Sequence, residues 1–466
     1  MRTHVSIDFA LKQMYNQLEL RAIFTRMLTE RQAEVNMSST YVKRDHYLKK
    51  IIDRKENGMI KVITGIRRCG KSFLLFNLFY DHLIGCGVKP DHIITIALDD
   101  DAYMKYRDPE KLSEYVRSKI MDSEMYYILI DEVQYAISKE ELKDPENIRL
   151  YNVLNGLARL RNTDIYVTGS NSKMLTKDVM TVFRGRGDEV KIYPLTFKEY
   201  YGFVGGDKMD AYADYSLYGG MPLVLSQKTE ADKINYLRRL FSEVYFKDIV
   251  ERYEIDLEDV LEELTDDLCS SVGSLTNATK IANTLKTVRN ISVSANTIAK
   301  YLGYLTESFL FTNAKRYDIK GKKYFEYPSK YYCADIGLRN ARLNYRQQEE
   351  THIMENIIYN ELLSRDCSVD VGVVEVVETK AGKRSKKQFE IDFVVNQGVK
   401  KYYIQSALTT EDPEKLEQEV RPLRNTKDFF KKIIVTRSFM KHWTDDEGII
   451  HIGLLEFLLN EDSLEL

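Results

Sequence analysis

Residues 65–72, Gly65-Ile66-Arg67-Arg68-Cys69-Gly70-Lys71-Ser72, set two glycines, a lysine and a hydroxyl in the order of a phosphate cradle. Gly65 and Gly70 allow backbone conformations a side chain would block, so successive N–H groups can close on a phosphate. Lys71 offers a point charge for β- and γ-phosphate oxygens, and the Ser72 hydroxyl is a natural Mg²⁺ ligand. Arg68, Cys69 and Phe73 stand in or beside the loop and complete the candidate nucleotide-binding set. The chemistry needs two carboxylates as well, and Asp131-Glu132 closes an apolar run that starts at Tyr126. Asp131 is the candidate second metal ligand. Glu132 is placed to polarise the water that attacks the γ-phosphate.

Such a loop works only between a strand and a helix, and the flanks fit. The run Ile60–Ile63 is β-branched and apolar, and an apolar stretch follows Ser72 directly. From 59 to about 200, strand-like runs at 59–65, 92–98, 126–131, 164–168 and 189–195 alternate with helical patterns at 72–84, 110–121 and 145–161. That alternation predicts a parallel α/β sheet covered on both faces, with ligands at the carboxyl ends of the strands. Thr168, Ser170 and Asn171 end the fourth run, where each can orient water, read the γ-phosphate or simply cap the next segment. Arg184 and Arg186 follow and are candidate arginine fingers, in the same subunit or a neighbour; a solvated turn is the alternative for either.

VITGIRRCGKS, ILIDEVQ, VTGSNSKML, FRGR, PLTFKEY and YGGMP occur in this order. Together they resemble the AAA-type predicted ATPases of bacteria and archaea whose C-terminal half is similar to restriction-endonuclease domains. The resemblance runs from about Met37 to the C-terminus. It implies a P-loop sheet of five strands, ATP and Mg²⁺ as ligands, Gly65, Gly70, Lys71 and Ser72 on the nucleotide, and Thr168–Asn171 as the sensor segment. It assigns no cellular partner.

The expected organisation is an extension over 1–36, an ATPase domain over 37–225, a helical and winged-helix domain over 226–340, and a restriction-endonuclease-like α+β domain over 341–466. Residues 278–286 and 294–311 read as helix-turn-helix, followed by a hairpin wing through Gly321. Residues 277–330 hold ten Lys/Arg, Lys330 among them, against three acids. This makes the segment a candidate surface for nonspecific contact with nucleic-acid phosphates, or a face for a protein partner. In the C-terminal part, the resemblance to the nuclease core maps its helix glutamate on Glu355 and its strand aspartate on Asp392, with Glu390 on the same face. The third-strand tripeptide is Gln405-Ser406-Ala407 where that core has Glu-x-Lys. Glutamine binds Mg²⁺ poorly and alanine cannot replace lysine, so a degenerate domain kept for binding or assembly is expected.

Composition bounds the rest. A chain of 466 residues exceeds one core, and 30% charged with 44% hydrophobic residues is ordinary for a soluble globular protein. The net charge of −3 gives no whole-chain attraction to nucleic acid or membrane. Five scattered cysteines without a C-x-x-C pair argue for reduced thiols in the cytoplasm and against a zinc site. The expected activity is Mg²⁺-dependent ATP hydrolysis that moves the C-terminal domains on a partner, with self-assembly compatible. The rivals are a nucleotide-gated binding switch with little turnover and an ATP-regulated nuclease.

Overall fold

A computed structural model describes residues 41–466 apart from 139, 142–143, 145–146, 171–182, 184, 326–327, 381–382 and 439–440. The expected N-terminal extension therefore lies outside the described residues. Arg44–Leu466 is one compact unit.

Its first part is a five-stranded sheet in the order β2-β3-β4-β1-β5. The strands are β1 (Ile60–Thr64), β2 (Ile93–Ala97), β3 (Tyr126–Asp131), β4 (Thr163–Gly169) and β5 (Gly187–Lys191), and every pairing is parallel. β1 and β3 are buried at every position because helices cover both faces of a parallel sheet. One face packs with Leu75, Phe79 and Tyr166, and the other with Leu112, Leu154 and Phe183. A charge survives inside. Lys61 of β1 pairs with Asp164 of β4, and Asp164 also accepts from the Tyr166 hydroxyl at 2.8 Å and the Glu56 amide at 2.9 Å. These partners are what make a buried carboxylate tolerable.

The YGGMP segment is a place of close backbone approach. A Cβ on Gly220 would lie 2.1 Å from the Leu195 carbonyl, and one on Gly337 would lie 2.0 Å from that of Tyr218. Buried Asp335 caps the helix Ile336–Arg342 and accepts from the Gly220 amide at 2.6 Å. That single side chain ties the end of the ATPase segment to the middle of the chain.

The middle part runs from a helix over 230–253 through the helix Glu258–Ser270, β6 (Leu275–Thr276), the helices Ala278–Val288 and Ala295–Glu307, and β7 (Phe311–Ala314). After a hairpin it returns as β10 (Ser329–Cys333), giving an antiparallel sheet in the order β6-β10-β7. Ser294 caps the second helix of the expected helix-turn-helix by accepting from the Thr297 amide at 3.0 Å. Ile298, Tyr301, Leu302 and Leu305 are its buried stripe.

The expected hairpin through Gly321 forms, and it is joined to a further sheet. Its two strands, β8 (Arg316–Asp318) and β9 (Lys323–Tyr324), form the edge of a second, eight-stranded sheet. β8 lies parallel to residues 371–373 of β11 (Ser368–Lys380). The cause is apolar: Ile319 is buried with Val374, Ile391 and Val394. Gly372 permits the contact, since a Cβ there would stand 3.0 Å from the Ile319 side chain.

That second sheet continues through β12 (Lys383–Gln397), β13 (Lys400–Ala407), β14 (Lys431–Thr436), β16 (Ile449–Gly453) and β15 (Trp443–Thr444). The helix Glu350–Ser364 covers one face and Pro413–Arg424 the other. Phe197, Tyr200, Tyr212 and Tyr215 share a core with Ile357 and Phe393. The helices after the ATPase sheet thus pack on the C-terminal part. Among the described residues no helix is long and apolar enough to cross a membrane.

Candidate functional site

The loop after β1 turns through left-handed backbone at Arg68 (φ 62°), and Gly65 (φ 145°) and Gly70 (φ 102°) take conformations that L side chains rarely adopt. A Cβ at Gly65 would meet the Ile192 carbonyl at 2.2 Å, so glycine is required there by space as well as by φ. Lys71 opens the helix, is buried, and donates to the carbonyls of Gly65 and Ile66 at 3.0 and 3.1 Å. Its ammonium is therefore held inside the loop whose amides would cradle a phosphate.

Ser72 follows Lys71 in that helix and stands next to Asp131, whose carboxyl it helps to hold down. Burial pushes the Asp131 carboxyl up, opposed by the bonds from Ser72 and Thr168. β4 lies between β1 and β3, which puts Thr168 at the centre. Its hydroxyl donates to Asp131 and accepts from the Glu132 amide at 3.0 Å. Thr168 thus orients the Asp131 carboxylate and fixes the backbone at Glu132.

Glu132 sits at φ 52° just past β3, and its carboxylate is engaged. Gln134 donates to it through Nε2, and the Ser170 hydroxyl donates to it at 3.3 Å. Gln134 also reaches Ser170 at 3.2 Å, and Arg67 Nε donates to the same hydroxyl at 3.3 Å. The Arg67 guanidinium in turn pairs with Asp248 at 3.0 Å, and its carbonyl accepts from the buried Tyr245 hydroxyl at 2.7 Å. Asp248 and Tyr245 belong to the long helix over 230–253. A continuous polar path leads from the Glu132 carboxylate, through the loop at Arg67, to the middle of the chain.

The structure gathers Gly65, Arg68, Cys69, Gly70, Lys71, Ser72, Asp131, Glu132, Thr168 and Ser170 around one end of the sheet. Cys69 points its thiol into the core, toward the Ile192 carbonyl at 3.8 Å, so only its backbone faces the cradle. Arg68 and Phe73 are exposed. Asn171 and Arg184 lie outside the described residues. Arg186 is a correction: Gly187 pairs with Ile60 at the start of β1, whereas the phosphate loop follows its end. Four residues of strand separate them, about 13 Å, and an exposed side chain at that end faces away from its own chain's site. Gln134, Arg67, Tyr245 and Asp248 carry no sequence signal of their own, although Gln134 lies inside the ILIDEVQ stretch.

In the C-terminal part, Glu355 of the helix Glu350–Ser364, Glu390 and Asp392 of β12 and Gln405 of β13 converge as the nuclease-like pattern expects. The basic partner is not on β13. Lys330 of β10 is buried there, 2.9 Å from Glu355, 2.9 Å from Glu390 and 3.5 Å from Asp392. Lys330 therefore leaves the basic surface counted over 277–330. Arg289, paired with Glu263 at 2.9 Å, is largely neutralised there, while Lys280, Lys286 and Lys300 remain exposed on the two helices.

The description "AAA domain" fits residues 57–201, and a domain of unknown function fits 209–349. An uncharacterized protein of Haemophilus influenzae is 34% identical over 429 residues, which cover 91% of this chain and 100% of its own. An uncharacterized protein of Methanocaldococcus jannaschii is 26% identical over 405 residues, covering 84% and 82%. Among solved structures, the Aeropyrum pernix ORC1 protein in complex with DNA matches 66% of this chain and 93% of its own at 11% identity, with a TM-score of 0.30.

Proposed function

This chain belongs to the AAA-domain family of its Haemophilus influenzae relative, and on that premise we propose that it is an Mg²⁺-dependent ATPase whose nucleotide state is passed to the helix over 230–253. One observation carries the reading: Asp131 at the end of β3 stands beside Ser72 of the helix that follows the loop, next to the buried Lys71 ammonium. The residues fit a metal–nucleotide pair. The Ser72 hydroxyl and the Asp131 carboxylate stand together for the metal, and Gly65 and Gly70 hold the loop in the backbone conformations that a phosphate cradle uses.

Ser72 and Asp131 would hold Mg²⁺, which when bound supplies charge neutralisation at the β- and γ-phosphate oxygens. Lys71 exchanges the carbonyls of Gly65 and Ile66 for those phosphates, so that the ammonium meets ionised acceptors in place of neutral ones. Thr168 fixes the direction of the Asp131 carboxylate and the backbone of Glu132, and Glu132 orients the attacking water once it leaves Gln134 and Ser170. Arg67, bonded both to Ser170 and to Asp248, carries the change at the site to the long helix. The engaged state of Glu132 also favours slow turnover in the absence of a partner, the behaviour of a nucleotide-gated switch. Gln405 and the commitment of Lys330 speak against the nuclease rival.

The test is steady-state ATP hydrolysis with binding of a fluorescent ATP analogue. Lys71→Ala should lose binding and hydrolysis, and Glu132→Gln should retain binding and lose hydrolysis. Wild-type rates in both variants refute the proposal.

A further inference from the structure

The carboxylates of the C-terminal part are arranged for a cation, and a cation from the chain itself stands among them. Lys330 is 4% exposed and lies in the central strand of the β6-β10-β7 sheet. Its ammonium touches Glu355, Glu390 and Asp392 at 2.9, 2.9 and 3.5 Å. Three donors on an ammonium meet three carboxylates, which satisfies it fully. Two of the carboxylates take further bonds. Glu355 Oε1 takes a second bond from the Tyr332 hydroxyl at 2.7 Å, and Asp392 Oδ2 takes the Ser406 amide at 2.9 Å. Gln405 has turned its carbonyl to the Asp392 amide at 2.8 Å and its NH₂ to Glu419 at 2.6 Å.

We propose that this cluster is a cation site permanently closed by Lys330, so that the C-terminal domain serves as a clasp on the middle domain and takes no divalent metal. A Mg²⁺ or Mn²⁺ ion would need carboxylate oxygens at about 2.1 Å in octahedral array. The ammonium occupies the point where those oxygens converge, and it cannot withdraw without taking the middle strand of a sheet with it. Its backbone is paired to Ala314 on one side and Leu275 on the other. The approach from the middle domain is shut too: a Cβ on Gly273 would lie 3.1 Å from the Glu355 carboxyl. Burial of an ion pair contributes modest net stability but is costly to break from one side, which suits a clasp.

The closure leaves surplus negative charge, since three carboxylates share one ammonium and Glu419, bonded to Gln405, adds a fourth beside Asp392. Burial first, and then the Asp392 charge, hold both Glu355 and Glu419 up at about 7, so protons take up part of the excess. Removal of the ammonium therefore exposes a set of carboxylates lacking its cation. This inference does not depend on the ATPase reading.

Mn²⁺ binding to the nucleotide-free full chain, followed by electron paramagnetic resonance, tests it. Wild type should bind no Mn²⁺ that Asp392→Asn abolishes. Lys330→Met should gain one site, at least tenfold tighter than any in wild type, and lose it in Lys330→Met/Asp392→Asn. Lys330→Met that folds and gains no site overturns the proposal. So does a wild-type site abolished by Asp392→Asn, or Mn²⁺-dependent nicking of supercoiled plasmid by wild type but not by that variant, because the lysine would then stand beside a working metal. The wild-type arms decide the question even where Lys330→Met does not fold.

Discussion

Gln134→Ala should accelerate ATP hydrolysis. The Glu132 carboxylate can orient water only when its oxygens are free to accept from it, and both Gln134 and Ser170 now donate to them. A hydrogen bond to a charged group contributes about 1.5–3 kcal/mol, and this half-buried site argues for the lower end. If Glu132 must leave Gln134 before the chemical step, removal of that donor lowers the barrier by ~1.4 kcal/mol, or roughly tenfold in rate. Ser170→Ala removes a longer bond of 3.3 Å and should give a smaller gain. The assay is single-turnover hydrolysis at saturating ATP, so that nucleotide release does not mask chemistry. Binding of the ATP analogue should be unchanged, because Gln134 touches none of the cradle residues. A rate in Gln134→Ala that falls would refute the reasoning: Gln134 would then hold Glu132 in its working orientation. An unchanged rate would show that release of Glu132 is not part of the barrier.

Two stability predictions follow from buried charges. Lys61→Met strands Asp164 inside the sheet and should cost about 3–5 kcal/mol in urea unfolding, with Lys61→Met/Asp164→Asn recovering much of it; a loss under ~1 kcal/mol would show the pair to be unimportant. Burial holds the Asp335 carboxyl up at about 6, above its ordinary value of 3.8, so the folded state binds the proton more tightly than the unfolded chain does. Stability from this group is fully present below the unfolded value and is lost as pH rises through about 6, a change of ~3 kcal/mol. Chemical denaturation of wild type and Asp335→Asn across pH 4–7 should show the wild-type advantage shrinking as pH rises, and an advantage that grows would contradict the assignment.

The phosphate loop and its carboxylates were legible in the sequence because the chemistry fixes residue type at fixed spacing. Gly65, Gly70, Lys71 and Ser72 have few substitutes, and Asp131-Glu132 ends a run that only a buried strand explains. The strands of the first sheet fall within a few residues of their expected bounds for the same reason: parallel strands covered on both faces are continuous apolar runs. Gln134 was not legible, since a glutamine two positions after a glutamate has no fixed meaning until Ser170 is brought alongside from another strand. Lys330 was misread outright. A charge count treats every lysine as solvated, and only the fold shows that this one points away from the basic helices into three carboxylates. The hairpin 316–324 forms as expected, yet its neighbour is set by Ile319 and Gly372, some fifty residues apart in sequence, which no local pattern reveals.

The connections between parts bear on how ATP could do work here. The middle of the chain touches the phosphate loop through Arg67, which meets Asp248 and the Tyr245 hydroxyl, and it touches the end of the ATPase segment through Asp335 on Gly220. It also shares an apolar core with the first sheet, where Ile66, Phe79 and Tyr166 lie in one cluster with Leu237, Tyr245, Ile249 and Leu305, and it joins the C-terminal part by the sheet edge at β8 and β11 and by Lys330. The Arg67 contacts are polar and half-buried, the kind that exchange partners at modest cost, whereas the clasp and the sheet pairing are buried and break only together. A nucleotide bound at Lys71 and Ser72 would displace side chains around Arg67 first. The change most compatible with these contacts is therefore a local one, in which Arg67 exchanges partners between Ser170 and Asp248 and so reports the state of the site to the helix over 230–253.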